Sequence, residues 1–343
     1  MTSEMRVPFF VSELIRSAFQ TITVLLNCIV PLLVWLAGPP HTGELVLKEM
    51  EMEQTNVERN GAGWINGLIG VLIFSGSLPA TRVAVSQFDP IFLTVARGAI
   101  AGALALALLL VFKEKRPSRT DLLSLLVIAL GVVVGFPLLT AIALQHITSA
   151  HSIVFIALLP LATALFGVAR GGERPRPAFW IFALLGSLSV AGFAQSQGLL
   201  VSPLGDALML AAIIACGLGY AEGARLSRKL GGWQVISWAL VLALPVMATA
   251  AVVTRPPTFS QIALQGWLAL GYVAVFSMLI GFIFWYRGLA QGGIAAVGQL
   301  QLLQPFFGLV LAALVLGEAV NPQMVLVTVV VIFCVYGARR FGR

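Results

Sequence analysis

From Trp64 to the C-terminal arginines the chain alternates long apolar runs with short polar breaks. The runs are about 20 residues each, the length a helix needs to cross roughly 30 Å of hydrocarbon at 1.5 Å per residue. They fall at 64–85, 91–112, 121–144, 148–169, 178–197, 204–224, 233–253, 265–287, 294–316 and 322–338. A membrane barrel would instead show strands of about ten residues with alternating polarity. That pattern is absent from the sequence, so the pattern predicts ten transmembrane helices in an all-α integral membrane protein.

Residues 1–63 do not follow this pattern. The run 22–38, ITVLLNCIVPLLVWLAG, is shorter, is interrupted by Asn27 and Pro31, and follows Arg6 and Arg16. It resembles a signal-anchor or a marginal extra span. A polar linker with Glu44, Glu49, Glu51, Glu53 and Glu58 separates it from the core. Met50 and Met52 stand where a compact core could begin, so the segment before them is expected to be an upstream extension. The expected organisation is an N-terminal extension at 1–63, a five-helix unit at 64–197 and a second at 198–343.

The division into two units comes from an internal echo. Residues 300–322, LQLLQPFFGLVLAALVLGEAVNP, match IALLPLATALFGVARGGERPRP at 156–177. Pro160 meets Pro305, Gly172 meets Gly317, Glu173 meets Glu318 and Pro177 meets Pro322, all at one spacing of 145 residues. Span four thus corresponds to span nine, and five helices make one repeat. An odd number of crossings turns the second copy over, which predicts an inverted repeat. Each copy carries a proline inside its apolar run. Proline removes a backbone donor and bends a helix, which lipid tolerates only where neighbouring helices or a watery cavity satisfy the freed carbonyl.

Composition agrees with the periodicity. Hydrophobic residues make up 59% and charged residues 10% of the chain, with mean hydropathy +0.97, whereas soluble domains are about a quarter charged. The net charge of +7 does not point to nucleic acid, because the basic residues lie in short loops beside the spans. With the residues before Trp64 placed in the cytoplasm, the inner loops and tail hold 14 basic residues, from Lys113, Lys115, Arg116 and Arg119 to Arg339, Arg340 and Arg343. The outer loops hold only Arg255. By the positive-inside rule both ends of the ten-helix core are expected in the cytoplasm. Cys28, Cys216 and Cys334 lie in separate apolar runs without metal-ligand spacing, so each is read as a packing residue. Small-residue pairs Gly98/Gly102, Gly131/Gly135 and Gly219/Gly223 allow close helix contacts.

Four stretches carry a family resemblance. They are FSGSLPATRVAVSQFDPIFLTVARGAIAGALAL at the start of the core, LLPLATALFGVARGGERP across span four, GDALMLAAIIACGLGY opening the second half, and QLLQPFFGLVLAALVLGEAVNP across span nine. With them the chain resembles the EamA-type family of the drug/metabolite transporter superfamily over about 64–340. The resemblance implies two inverted five-helix repeats around a central cavity, lined mainly by helices one, three, four, six, eight and nine, with alternating access. Span six departs from the family pattern. It has Cys216, Gly217 and Gly219 where many relatives carry Ser-Trp-Ala, which weakens any inference of an aromatic cavity wall there.

Polar and ionisable residues inside a span are functional candidates because burying them is costly. Gln299, Gln301 and Gln304 precede Pro305, and their counterparts in span four, Val154, Ile156 and Leu159, are apolar. A cavity wall or helix-to-helix bonding would explain the glutamines; the cavity is the preferred reading. Trp285 and Tyr286 could form a stacking surface or simply sit near an interface. Arg82, after Pro79, could meet an anionic substrate or snorkel to the headgroups. His151, close to His146, could couple transport to protons or bind an anion; the alternative is an interfacial histidine bonded to a carbonyl. Arg97 lies two turns inside span two, peripheral in the family fold, and is read as structural. Glu173 and Glu318, like Pro160 and Pro305, are expected to serve structural or gating roles rather than substrate chemistry. Glu222 and Arg225 are expected to pair locally, and Asp206 to open its helix.

The sequence carries no HExxH, paired-aspartate site, serine elbow or phosphate loop. An intramembrane enzyme or ATPase is therefore not expected, nor is a metal or other cofactor. The expected function is a secondary active transporter in the cytoplasmic (inner) membrane for a small amphipathic or zwitterionic metabolite, an amino acid among the candidates. The family resemblance implies export. The expected partners are the substrate, the lipid bilayer and coupling protons, with the protein a monomer or homodimer and no nucleic acid bound. The alternative class is a non-transporting receptor or assembly protein on the same scaffold.

Overall fold

The computed structural model describes residues 61–143, 146, 147, 152, 155–195, 202–308, 310 and 322–342, apart from the side chains of Leu78, Pro79, Arg82, Ala194, Pro322 and Met324. All of them belong to the second of two units, Arg59–Arg343. The run at 22–38, the acidic linker, His151 and Glu318 lie outside the described residues.

Regular structure among the described residues is entirely helical. In chain order the helices are α1 (Gly61–Ser75), α2 (Ser77–Val85), α3 (Pro90–Val111), α4 (Arg119–Ala143), α5 (Leu159–Gly171) and α6 (Pro177–Gln195). Then come α7 (Pro203–Leu230), α8 (Gly232–Val253), α9 (Leu264–Gly292), α10 (Ile294–Gly298) and α11 (Pro322–Phe341). By length and composition α3, α4, α7, α8 and α9 are each able to cross a bilayer. Many of their large apolar side chains point outward: Leu110 is 68% and Leu123 70% exposed. On a soluble protein such a belt would be an aggregation surface, whereas lipid is its natural solvent.

The helix ends follow from local chemistry. Asp89 accepts from the amides of Ile91 (2.9 Å) and Phe92 (3.1 Å), and Pro90 occupies the first turn of α3 where no donor is needed. Ser118 and Asp121 form a capping box at the start of α4. Gly172 ends α5 at φ 69°, a left-handed backbone that favours glycine.

Five of the expected spans, one, three, four, eight and nine, are irregular inside. Span one breaks at Gly76 between α1 and α2, and the Tyr272 hydroxyl donates to the Ile73 carbonyl (2.9 Å) beside the break. The α4 helix widens to π geometry over Ala129–Gly135, and α9 does so over Tyr272–Ile280. Shifting 129–135 by the 145-residue offset lands inside the second segment. The chain after α10 tightens to a 3-10 helix over Gln299–Leu303 before resuming at Gln304.

The prolines act differently from the expected bend in a continuous span. Residues 157 and 158 form a turn and α5 starts at Leu159, so Pro160 sits in its first turn. There its missing N–H would have had no intrahelical partner. Pro305 comes just after the 3-10 stretch, in the first turn of the helix that resumes at Gln304.

Where α7 ends, ion pairs tie α4, α5 and α7 together. The fully buried Glu222 carboxylate accepts from Arg170 (2.5 Å) and Arg225 (2.8 Å), and Arg225 also donates to the Ser124 hydroxyl (2.9 Å). Lys229 donates to both Asp121 oxygens (2.7 and 2.8 Å). Glu173, just past α5, accepts from Arg228 (3.0 Å) and from the first two amides of α10, Ile294 (2.6 Å) and Ala295 (2.7 Å). The Gly-Glu end of span four thus caps the start of span nine, its own repeat counterpart. Gly293, at φ 96°, supplies the turn that aims those amides at the carboxylate.

Two outcomes follow for thermal unfolding of the purified protein. Arg170→Ala or Arg225→Ala alone should cost about 1 kcal/mol, because the other partly exposed arginine still answers Glu222. Both together should cost about 3–5 kcal/mol, because a buried carboxylate is left unpaired. Glu173→Gln removes one of the two acceptor oxygens serving α10. It should destabilise the chain by about 1–3 kcal/mol and speed hydrogen exchange at 294–298, seen by mass spectrometry.

Candidate functional site

The irregular segments converge on one cavity of about 430 Å³. One end lies at the joint between α2 and α3, where Val85 and Pro90 reach the wall, and the other reaches Tyr220 and Gln301. The π segment of α4 contributes Val132, that of α9 contributes Ser277 and Met278, and the 3-10 segment contributes Gln301. Ser77, at the break in span one, donates to the Ser277 hydroxyl (2.8 Å) across the wall. Departures from α geometry of this kind recur at functional sites, because they free backbone and re-aim side chains.

The glutamines separate by role. In a 3-10 helix residues three apart eclipse, so Gln301 and Gln304 share one side and both line the cavity. Gln301 is nearly buried and its amide nitrogen donates to the Tyr220 hydroxyl (3.2 Å). Gln299 faces elsewhere: it is fully buried and donates to the Pro160 carbonyl (3.4 Å). That bond joins span nine to the break in span four.

Trp285 and Tyr286 are also fully buried and are not among the cavity-lining residues. Trp285 stands behind the wall, with its ring edge-on to Tyr220 (5.6 Å between centroids) and Phe74 (6.2 Å). Tyr286 donates to the Gly219 carbonyl (3.3 Å) and lies over Gly223, where a Cβ would collide with its ring. The aromatic surfaces that face the cavity are Phe74, Phe136, Tyr220 and Phe282. Tyr220 does not stand out in the sequence, where Cys216 and the glycines of the same helix are the departures from the family pattern. A lone tyrosine deep in an apolar run, one helical turn after Cys216, was the available signal.

Arg97, expected to be structural, has its side chain on the cavity wall. The signal was its depth: an arginine two turns inside an apolar run is costly unless something answers its charge. The Arg82 backbone belongs to α2, and its side chain lies outside the described residues. Glu173 belongs to the ion pairs at the end of α7 rather than to the cavity. Pro305 lines the wall beside Gln304, while Pro160 touches the site only through Gln299. Among the described residues no group of histidine, cysteine and carboxylate side chains is arranged to hold a metal ion.

Comparison with known proteins places this geometry. A Bacillus subtilis (strain 168) protein named uncharacterized transporter YdeK is 69% identical over 281 residues, covering 82% of this chain and 98% of its own. The Escherichia coli (strain K12) protein named uncharacterized inner membrane transporter YedA is 27% identical over 61% of this chain and 68% of its own. A crystal structure of another protein has the same fold, with a TM-score of 0.70 at 20% identity over 82% of this chain and 98% of that one. The model of the EamA-like transporter family matches twice, at residues 61–194 and 203–339. The two matches cover most of the chain from α1 to α11, and the chain belongs to the EamA-like transporter family.

Proposed function

We propose that the protein is a secondary active transporter that moves a small amphipathic metabolite across the cytoplasmic membrane by alternating access. Its core is ten helices in two inverted five-helix repeats, with both core ends in the cytoplasm and export as the working direction. The observation that carries this is the pairing of one cavity with one tied end. The cavity runs from Gln301 and Tyr220 to the α2–α3 joint, and the opposite end is held by the ion pairs of Glu222, Asp121 and Glu173.

Alternating access requires such asymmetry. A transporter must expose its site to one side while the other is shut. The tied end carries the basic loops that the positive-inside rule assigns to the cytoplasm, which supports reading the cavity as facing outward. The ion pairs are partly solvated: the Arg170 and Arg228 side chains are 50% and 39% exposed. The Arg228–Glu173 contact can break and reform at modest cost, whereas at the buried Glu222 one of the two arginines has to stay paired while the other moves.

Substrate recognition rests on Gln301 and Gln304 against the apolar walls of α4 and α5. A ligand screen by thermal shift on the purified protein, followed by flux of each hit in proteoliposomes, tests the proposal. Gln301→Leu should abolish that flux while leaving the melting temperature within a few degrees of wild type. Normal flux in the variant would contradict the assignment.

A further inference from the structure

The cavity holds a charge that the rest of the site leaves unanswered. Arg97 lines the wall, its Nε is buried without a hydrogen-bond partner, and no carboxylate ion-pairs with it among the described residues. The other lining side chains are neutral. Most are apolar, as with Leu93, Phe136, Ile156 and Phe282, and the polar ones are hydroxyls, amides and the Cys216 thiol. Two polar atoms besides Arg97 are buried and unpartnered on the same wall, Thr140 Oγ1 and Gln301 Oε1.

A lone cation beside apolar walls attracts an anion strongly, because little solvent screens it. Guanidinium presents donors in a planar fork that matches a carboxylate. An ammonium group would find no acidic partner among the lining residues and would be repelled by Arg97.

Building on the transporter reading above, we propose that the substrate is a small carboxylate with a compact apolar body, whose carboxylate pairs with Arg97. The body packs against Phe74, Phe136 and Phe282, and a neutral polar substituent meets Thr140 or Gln301. The charge of Arg97 is thereby answered by cargo rather than by protein. A carboxylate in the chain would have competed with the ligand at every cycle.

A matched series of one carbon skeleton tests this on the full chain in lipid nanodiscs: 4-methylpentanoate, its neutral amide 4-methylpentanamide, and the cation 3-methylbutylamine. Binding by titration calorimetry should be at least tenfold tighter for the carboxylate than for the amide, with the amine not bound. In Arg97→Gln the carboxylate should weaken at least tenfold while the amide is unchanged, and Arg97→Lys should fall between. Ligand-free Arg97→Gln should melt no lower than wild type, since an uncompensated cation has been removed.

Equal binding of carboxylate and amide, no carboxylate binding to wild type, or undiminished carboxylate binding to Arg97→Gln would overturn the proposal. So would a ligand-free Arg97→Gln that melts well below wild type, which would make Arg97 structural. Flux of the same compounds separates the two levels. Arg97-dependent carboxylate binding without flux in proteoliposomes would retain the subsite and contradict transport. Saturable flux of the amide or amine, indifferent to Arg97, would retain transport and remove the subsite.

Discussion

A bilayer core offers no water to satisfy a backbone amide or carbonyl, so a chain that crosses it can leave regular helix only where protein or a cavity supplies partners. The rest of this structure depends on that constraint. The break at Gly76, the turn at 157 and 158, the two π segments and the 3-10 stretch are places where the described chain departs from α geometry within an expected span, and residues in or beside each line one cavity. Side chains add bonds to backbone carbonyls at these places: the Tyr272 hydroxyl meets the Ile73 carbonyl and Gln299 meets the Pro160 carbonyl. The irregular backbone and the cavity are one feature seen twice.

The duplication explains why these departures come in related places. The π segments correspond under the 145-residue offset, and the start of α5 beside Pro160 corresponds to the 3-10 stretch before Pro305. What the copies do not share is side-chain chemistry. The second copy places Gln301 and Gln304 on the cavity, whereas the first offers Ile156 and Leu159. Glu173 links the copies directly by capping α10 from the end of α5, so movement of one repeat would reach the other through a charged, partly solvated contact.

The helical class and the extent of five long apolar helices were legible in sequence because hydrophobic run length follows bilayer thickness. The family was legible in the Gly-Glu ends and the paired repeat. The site was only half legible. Gln301 and Gln304 could be picked out because an amide in an apolar run is anomalous whatever the fold. Gln299, Trp285 and Tyr286 share the same anomaly, yet they are buried behind the wall, and tertiary packing separates the two groups. Residues three apart share a side in either an α or a 3-10 helix, so spacing alone already put Gln301 and Gln304 on one face and left Gln299 off it. Arg97 lies on a helix that the family resemblance makes peripheral, yet its side chain lines the cavity.

The central claim is that the cavity opens on the α2–α3 side while the ion pairs at the end of α7 hold the other side shut. Site-directed labelling of Gln304→Cys, in a background where Cys28, Cys216 and Cys334 are replaced by alanine, tests it most directly. In oriented membrane vesicles a membrane-impermeant maleimide should label this position from the outer face only. Combining it with Glu222→Gln and Asp121→Asn should shift labelling towards the cytoplasmic face. Labelling from the cytoplasmic face in the otherwise intact protein, or no change when the ion pairs are removed, would contradict the account.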